Sequence, residues 1–515
     1  MKTYIQYIRR GLALVASLAC MIACYAQQSD SLIYSVSILT NASTGRLAPY
    51  MIGSWNHDRT SMKNGYNVDF FTEKPLNLNG RIGWGAGVEI LAGSQHSAKY
   101  DKYDPHNFDW YTSDMKRAHV SLRSFYASMR YRRVFILAGM KNFDSKIVDG
   151  SLSSGDLLRS NNARAIPGLT FGFVDFQDIP FTNGWLQIDG QIMYGKFIDN
   201  SFRRQQFNFY SDLLATDLYY TYKYCYFRTM PSQRLSVIFG MQAAGVFGGN
   251  TTYYRRGQLV RTDHRGFRFV DIFKMFFPTP DNGNGYYEGN SLGTWSLRAR
   301  YNLPGGNEIA AYWEKFFEDG SGIGCRNGAD GLYGLQFSFG KKGWVNKIVA
   351  EYLDFRNQSG PLHYAPGDHI NPSITSEATG GDNYYNNDSF GPYSYFGMSI
   401  GSPMVMSPIY NENGFPQFIY NRMQGAHLAV SGSPAANLTY KLMGSWQKGY
   451  AMGRIPLPEA RETWSAMAEV DWDARKWLPG FSFDCRLALD RGKLRGDNFG
   501  FALAIRYSGN LNINY

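Results

Sequence analysis

The sequence predicts an all-β fold, a transmembrane antiparallel β-barrel of about 18 strands whose long extracellular loops occlude the mouth. Apolar and polar residues alternate with a period of two in segments of about 9 to 11 residues, the length that crosses a bilayer as a tilted strand. The connections between these segments alternate between short and long. The composition agrees, because 16% of the 515 residues are aromatic and only 18% are charged, against about 25% charged in soluble domains.

The composition also excludes other classes of protein. The mean hydropathy is -0.35, and after the N-terminus no apolar run approaches the roughly 20 residues of a membrane-spanning helix. The aromatic and aliphatic content excludes a disordered chain. A soluble β-sandwich would alternate equally well, but such domains seldom extend much beyond about 250 residues, and here the alternation continues without a break.

The first 26 residues have the pattern of a signal peptide. Three cations (Lys2, Arg9 and Arg10) precede a largely apolar stretch, and Cys24-Tyr25-Ala26 places small residues where a signal peptidase cuts, before Gln27. Lipidation of Cys20 or Cys24 is the alternative. Residues 27–515 then form the barrel, and loss of three cations leaves 49 basic against 42 acidic residues, a net charge of +7. We therefore expect a bacterial outer-membrane protein that has no nucleic-acid partner.

Three cysteines remain after cleavage: Cys225, Cys325 and Cys485. An odd and widely spaced set predicts neither a disulfide framework nor a zinc site with paired spacing.

The alternation is clearest near the C-terminus. Trp464, Ala466, Ala468, Val470 and Trp472 share one face, with aromatic residues at both ends as in the girdles of outer-membrane barrels. The eighteen predicted segments are 31–40, 66–71, 81–92, 117–131, 134–140, 170–176, 185–197, 218–228, 235–245, 294–301, 308–314, 332–340, 345–353, 425–431, 438–447, 463–472, 481–490 and 498–507. Boundaries are uncertain by several residues, so a count of 16 stays open.

The alternating connections indicate which end faces out. Short turns are periplasmic and long loops extracellular in outer-membrane barrels, so both termini are predicted to be periplasmic. The largest predicted loops are Asp354–Gln424, with 71 residues, and Val246–Gly293, with 48. Loops longer than about 15 residues are usually functional, so we expect both to fold over the barrel mouth. Between two turns near the C-terminus, residues 449–462 are predicted to form another outer loop.

The largest predicted loop carries candidate sugar-binding residues. Flat aromatic faces beside amide and carboxylate oxygens suit sugars, whose C–H faces stack while their hydroxyls form hydrogen bonds. The candidates are Tyr384, Tyr385, Tyr393, Tyr395, Asp382, Asn383 and Asn386. The alternative is that the same side chains pack a plug.

Further candidates are Arg255 and Arg256, which follow Tyr253 and Tyr254 in the second largest loop. For an exported protein the available anions are acidic sugars and lipopolysaccharide phosphates. The alternative is a solvated loop whose cations face lipid headgroups. The expected partners are thus surface or capsular polysaccharide, outer-membrane lipid and lipopolysaccharide, for a protein that is a monomer.

We expect no cofactor, metal or catalytic residue. The Asx-rich run at 382–388 could supply oxygen ligands to calcium, but it lacks the ordered spacing of an EF-hand, and such runs more often form turns. Gly397 to Gly401 match a Gly-x-Ser-x-Gly motif without the following helix that a nucleophile elbow needs. His119 and His427 fall on inward faces without an evident partner in the sequence.

Several stretches resemble the capsule-assembly Wzi family, most of all its Bacteroidetes branch. They lie at 161–168, 358–361, 382–386, 397–403, 407–411, 425–428, 431–432 and 496–500. The resemblance implies an 18-stranded outer-membrane barrel, closed at its outer mouth by loops, that binds surface polysaccharide and helps hold capsule on the cell. No stretch matches the periplasmic helical bundle of the enterobacterial member, and no motif of the family fixes the sugar-binding residues.

The preferred hypothesis is therefore a non-enzymatic surface lectin of the capsule-assembly type. A diffusion or uptake porin is the first alternative, because 16 to 18 strands can enclose a water-filled channel. A barrel hydrolase is the second, and it would require a Ser or Asp paired with a His at the outer rim.

Overall fold

The computed structural model describes residues 30–513 except 116, 118, 277–288, 319, 326, 361–362, 365–377, 380 and 454. The predicted signal peptide, residues 1–26, lies outside the described residues.

Eighteen antiparallel strands form one closed barrel in the described part of the chain. Each strand pairs with its neighbours along the sequence, and the first strand pairs with the last, Asp30 opposite Ile513. The strands are β1 (Asp30–Ser43), β2 (Gly65–Lys74), β3 (Ile82–Gln95), β4 (Val120–Tyr131), β5 (Val134–Met140), β6 (Gly168–Phe173), β7 (Leu186–Lys196), β8 (Tyr219–Thr229), β9 (Leu235–Phe247), β10 (Gly289–Asn302), β11 (Glu308–Phe317), β12 (Gly331–Ser338), β13 (Lys347–Asp354), β14 (Met423–Ala435), β15 (Leu438–Met452), β16 (Ile455–Asp473), β17 (Phe481–Gly492) and β18 (Asn498–Ile513). Gln177–Asp178 also pairs with β7. The predicted fold class is confirmed, since each of the eighteen segments overlaps one strand.

The connections contain the remaining elements. The helices are Tyr50–Gly53, Asn200–Gln206, Phe269–Phe276 and Gly320–Ile323, with 3-10 turns at Pro304–Gly306 and Pro408–Tyr410. Small sheets pair Ala98–Asp104 with Asp109–Met115, Gly249–Arg255 with both Asp212–Thr216 and Gln258–Arg265, His363–Tyr364 with Ala378–Thr379, and Ser394–Tyr395 with Met398–Ser399. None of the described helices is long and apolar enough to cross a membrane.

The strands have an apolar outer face and a polar inner face. In β16, Trp464 and Val470 are exposed on the outside, whereas Thr463, Ser465 and Glu469 are buried on the inside. Exposed aromatic side chains lie near both ends of the strands: Tyr66, Tyr333, Tyr352 and Phe499 near one end, and Tyr131, Trp185, Tyr301 and Trp472 near the other. An outer surface this apolar, flanked by aromatic residues, is suited to contact with lipid rather than water.

The two ends of the barrel differ. At one end, here the turn end, the connections are as short as Arg132-Arg133 between β4 and β5. At the other, the loop end, β13 and β14 are joined by residues 355–422, and β9 and β10 by residues 248–288. Both segments are shorter than predicted because the flanking strands extend further.

One predicted loop is wrong. Residues 449–462 belong mostly to β15 and β16, which form a hairpin that continues to the pair Met452 and Ile455. The reason is packing, because Ala451 is buried against Met406, Tyr420 and Leu494 and thereby holds the hairpin over the mouth. The alternation is weaker in this extension because it packs against loops on one side.

The connection between β5 and β6, residues 141–167 and here called the lumen loop, enters the barrel and reaches its turn end. Lys146 Nζ lies 3.3 Å from Asp189 Oδ2 near the start of β7. Lys347, the first residue of β13, pairs with Asp149, and Arg298 Nη1 donates to Ile147 O at 2.6 Å. A loop inside a barrel must satisfy its peptide groups there, because an unpaired buried polar group costs about 1 to 3 kcal/mol.

Inward carboxylates of the barrel supply those partners at mid-height. Glu351 accepts hydrogen bonds from Ser153 Oγ at 2.6 Å and from Ser154 N at 2.5 Å. Glu314 Oε2 accepts from Leu157 N at 3.0 Å. The lumen loop is therefore bound to the inner wall through most of the barrel's height.

The hairpin geometry makes a testable prediction about the lipid-facing band. Leu442 lies outside on β15, opposite Val430 and Ala468, midway between the aromatic positions. We expect Leu442→Arg to destabilise the barrel in lipid vesicles by about 2 to 4 kcal/mol, the cost of a cation near the middle of the bilayer. Urea-induced unfolding measures this.

The matched control is Ile455→Arg, because Ile455 is equally exposed but begins β16 at the tip of the hairpin. We expect its effect to be under about 1 kcal/mol. Equal destabilisation by both substitutions would show that the hairpin tip lies inside the bilayer.

Candidate functional site

The four candidate tyrosines lie inside the protein. The side chains of Tyr384, Tyr385 and Tyr393 are 0% exposed and that of Tyr395 is 1% exposed. They belong to residues 355–422, here called the cap loop, whose described residues cover the lumen loop. No ring face is open to a sugar, so these residues pack the plug, as in the alternative considered above. The physical reason is that their rings pack against aromatic side chains of the barrel wall and belong to the main buried core of the protein.

Hydrogen bonds from these rings join the two loops. Tyr385 donates its hydroxyl to Leu157 O and accepts from Ser402 N at 3.2 Å, while Tyr393 donates to Leu158 O at 2.9 Å. Burial raises the pKa of Tyr385 well above its ordinary value, so its phenol stays a donor. Tyr384 accepts from Asn327 Nδ2 at 2.9 Å. The cap loop is thus fixed onto the lumen loop.

The polar candidates of the cap loop have structural partners. Asn386 Oδ1 accepts from Phe418 N at 2.8 Å, and Asn383 Oδ1 accepts from Asn421 Nδ2 at 2.6 Å. Asp382 accepts from Ser359. These oxygens fix turns in the loop.

One group of three acidic side chains in the described chain lies close enough together to hold a cation: Glu469, Asp471 and Asp484 on β16 and β17. Protein cations already reach it. Lys441 Nζ is 2.6 Å and Arg486 Nε 3.0 Å from Glu469. This group is therefore an ion-pair network of the inner wall.

Arg255 and Arg256 are exposed at the tip of the hairpin formed by Gly249–Arg255 and Gln258–Arg265. Arg256 and Gly257 have φ angles of 52° and 78°, which form a tight turn. The hairpin rests on the cap loop, where Thr251 donates to Ser389 O at 2.6 Å. Both cations are therefore exposed at the surface of the loop end.

A second cationic feature lies inside the rim of the mouth, around the buried carboxylate of Asp58. Arg117 makes a bidentate contact with it, Nη1 to Oδ2 at 2.9 Å and Nη2 to Oδ1 at 3.2 Å. Arg164 Nε lies 2.7 Å from Oδ2, and Arg123 Nη1 lies 3.8 Å from the same oxygen. Three guanidinium groups thus share one carboxylate.

Three separate parts of the chain bring these groups together. His57 and Asp58 have φ angles of 53° and 61°, and this left-handed turn aims the carboxylate inward. A β-bulge between β3 and β4 places both Arg123 and Ser124 inside, where strict alternation would point one of them out. Arg164 comes from the end of the lumen loop.

The electrostatics of this group are unusual. Burial alone would raise the pKa of Asp58, but Arg117, Arg164 and Arg123 outweigh it and hold the pKa well below its ordinary range. A neighbouring cation, Arg59, pairs instead with Glu89 and Asp69. The Nε atoms of Arg117 and Arg123 are buried and have no hydrogen-bond partner among the described residues. One carboxylate is therefore insufficient for the three guanidinium groups.

A cavity of about 100 Å³ opens beside these guanidinium groups, and we call it the arginine pocket. It is lined by Gln95, Arg117, Ser121, Arg123, Arg164, Ser201, Phe202, Gln205 and Phe396. Arg164 Cζ lies 3.9 Å from the centre of the Phe396 ring, and the exposed residues Ser201 and Gln205 form the rim. The wall contains three guanidinium groups, two aromatic rings and no carboxylate. It can hold an anion beside an apolar surface.

The arginine pocket was not predicted from the sequence. The residues that line it are spread from Gln95 to Phe396, and no local spacing links them. Arg164 lies in a stretch that carried the family resemblance, and it was the one available signal. The bulge that turns Arg123 inward follows from pairing with β3 and has no signature in the sequence of β4.

The structure also gives His427 a partner that the sequence did not reveal. Its Nδ1 lies 2.7 Å from Ser445 Oγ, and its Nε2 lies 2.9 Å from Leu152 O. Both side chains are buried between the inner wall and the lumen loop. Ser399 of the Gly-x-Ser-x-Gly motif is likewise buried, in the hairpin Ser394–Tyr395 and Met398–Ser399. Neither serine is open to a substrate in this arrangement.

The buried tyrosines generate a prediction about the plug. Tyr385→Ala removes a fully buried ring, which costs about 3 to 5 kcal/mol locally. We expect hydrogen exchange of the Leu157 and Leu158 amides to become about 100-fold faster or more, since these loops open together. Amides of the barrel strands should keep their protection.

Tyr111→Ala is the control, because Tyr111 is exposed on the hairpin Ala98–Asp104 and Asp109–Met115. It should leave exchange in the lumen loop unchanged. Unaltered protection in Tyr385→Ala would contradict the coupling of the two loops.

Comparison with known proteins agrees on the fold. Neither a family model nor a curated sequence matches the chain. Among solved structures, the chain is similar to Wzi, an Escherichia coli outer-membrane protein of group 1 capsule assembly described as a carbohydrate-binding β-barrel, with 12% identity over 93% of this chain and 84% of that chain and a TM-score of 0.56.

Other similar structures have lower TM-scores. Acinetobacter baumannii OccAB2 shares 9% identity over 95% of this chain and 99% of that chain, with a TM-score of 0.49. The Pseudomonas aeruginosa outer-membrane protein OprD shares 11% identity over 94% of each chain, with a TM-score of 0.44. The similarity to Wzi, at 12% identity, establishes only the fold, that of a large antiparallel β-barrel.

Proposed function

We propose that this protein is a non-enzymatic outer-membrane surface protein that binds exported polysaccharide at its loop end and helps retain capsule on the cell. The observation that carries the proposal is the combination of a packed mouth and cationic groups on and beside it. The cap loop and lumen loop join through buried tyrosines, while Arg255 and Arg256 extend outward. A ligand that binds at the loop end therefore contacts a surface that buried side chains hold in place.

Two further observations support the proposal. The structurally similar Wzi is described as a carbohydrate-binding barrel, and several stretches of this sequence resemble its family. The lipid-facing outer surface fits an outer-membrane location, which the signal peptide at residues 1–26 would direct with cleavage before Gln27. In that membrane the protein acts as a monomer among lipopolysaccharide molecules.

The inner wall supports binding in preference to diffusion. Loops 44–64 and 141–167 together bond to strands around the barrel, as in the hydrogen bond from Tyr50 N to Asp490 Oδ2 at 2.9 Å and the contacts of the lumen loop with Glu314 and Glu351. A solute that passed through would have to displace these buried polar contacts, each of which would then lack a partner. Hydrolysis is disfavoured because the pair His427 and Ser445 is buried.

The test is polysaccharide binding by the purified full-length barrel in lipid nanodiscs. With an acidic capsular polysaccharide as probe, we expect the double variant Arg255→Gln, Arg256→Asn to bind about three- to tenfold more weakly, and the wild-type affinity to fall with added salt. Asn at position 256 tolerates the left-handed backbone of the turn. A strain that lacks the protein should shed capsule into the medium.

The matched control is the pair Lys341→Gln, Lys342→Gln, two exposed cations between β12 and β13 at the turn end. It should leave binding unchanged. If the wild-type protein binds no polysaccharide while vesicles that contain it take up small solutes, the porin alternative replaces this proposal.

A further inference from the structure

The arginine pocket has more positive than negative charge among its own residues. Arg117, Arg123 and Arg164 share the single carboxylate of Asp58, and their side chains are 6%, 3% and 9% exposed. Confined cations of this kind are stabilised by anions, because a guanidinium in a partly desolvated site gains more from a paired charge than it would in water. The pocket is therefore predisposed toward a second anion.

We propose that the arginine pocket binds the carboxylate of an acidic sugar residue, so that the polysaccharide ligand of this protein is a uronic-acid polymer. This inference rests on the proposed function and specifies its substrate class. Asp58 acts as the positioning residue, because it holds Arg117 and Arg164 by direct ion pairs and leaves the incoming carboxylate to contact the guanidinium groups.

The donors available in the pocket suit a carboxylate. Arg117, Arg123 and Arg164 all line the pocket. A guanidinium presents Nε and Nη as a planar fork that matches the two oxygens of a carboxylate. An arriving carboxylate would therefore meet guanidinium groups in a wall that contains no competing carboxylate.

The remaining lining suits the rest of a sugar. Phe202 and Phe396 provide apolar rings, and Arg117 Cζ lies 5.3 Å from the centre of the Phe202 ring. Gln95, Ser121, Ser201 and Gln205 provide amides and hydroxyls for hydrogen bonds to sugar hydroxyls. A free inorganic anion would use the cations alone, whereas this wall offers contacts to a ring as well.

The position of the pocket favours a polysaccharide over a lipid headgroup. Arg123 points to the inside of β4, whereas its neighbours Val120 and Leu122 are exposed on the outer, lipid-facing side. The rim residues Ser201 and Gln205 lie on the helix Asn200–Gln206, between β7 and β8 at the loop end. A ligand must therefore approach from the mouth.

The volume limits what can enter. A cavity of about 100 Å³ is small beside a polysaccharide chain, so most of a bound polymer would lie outside it. The pocket would then anchor one acidic residue of a polymer that continues across the outer surface. Such a single anchored residue explains how a closed barrel could retain a long polysaccharide without threading it.

The experiment is a binding titration of the full-length protein in nanodiscs with two matched probes. One is an oligoglucuronate, and the other is the same oligosaccharide after reduction of its carboxyl groups to neutral hydroxymethyl groups. We expect the wild-type protein to bind the acidic probe at least tenfold more tightly, because ring contacts are shared and only the charge differs.

Two variants test the pocket itself. Arg117→Gln removes one guanidinium group and should weaken binding of the acidic probe at least tenfold. That change could disturb folding, because it leaves Asp58 with fewer partners. The second variant is therefore Gln205→Glu, which adds a carboxylate on the exposed rim without altering the size of the side chain. It should also weaken binding of the acidic probe at least tenfold. Gln233→Glu, an exposed position at the turn end, should change nothing.

The outcomes separate this inference from the proposed function. Equal affinity of the wild-type protein for the acidic and reduced probes overturns the pocket assignment. Wild-type affinity for the acidic probe in both Gln205→Glu and a folded Arg117→Gln does the same. In either case polysaccharide binding itself stands. The sugar assignment is overturned if the protein binds inorganic phosphate or lipid A vesicles but not oligoglucuronate, and if Gln205→Glu weakens that binding at least tenfold. Failure of the wild-type protein to bind any polysaccharide overturns the proposed function.

Discussion

The structure depends on how the lumen loop satisfies its polar groups inside a closed barrel. A peptide segment that leaves water loses hydrogen bonds, and each unsatisfied group costs about 1 to 3 kcal/mol. Glu351 and Glu314 meet this requirement by accepting from Ser153, Ser154 and Leu157. These bonds hold the lumen loop against the inner wall.

The cap loop is built on that position. Tyr385 and Tyr393 reach carbonyl oxygens that the lumen loop presents upward at Leu157 and Leu158. Arg164, at the end of the same loop, reaches Asp58 and Phe396. The arrangement of the mouth, including the arginine pocket, therefore follows from the bonds made deeper in the barrel.

The barrel was predictable from the sequence because strand periodicity is a local property. Trp464 and its neighbours on one face of β16 alternate regardless of what the other strands do. The aromatic rings of the cap loop were visible too, but aromatic residues that pack a core and those that stack on sugars have the same composition. Burial decides between the two roles, and burial is a property of the whole fold.

The residues of the arginine pocket could not be predicted for a related reason. Asp58 lies in a left-handed turn, and the inward position of Arg123 comes from a bulge. Both are produced by pairing and packing with distant segments. The extension of β15 and β16 beyond the expected loop has the same origin, because loop residues such as Tyr420 cover it.

The central claim is that the lumen loop closes the barrel, and single-channel recording in planar bilayers tests it most directly. The wild-type protein should give no stable conductance steps. A variant in which residues 146–158 are replaced by a short Gly-Ser linker should give stable steps, because part of the lumen is emptied and the cap loop loses its bonds to Leu157 and Leu158. Stable wild-type conductance equal to that of the variant would contradict the account.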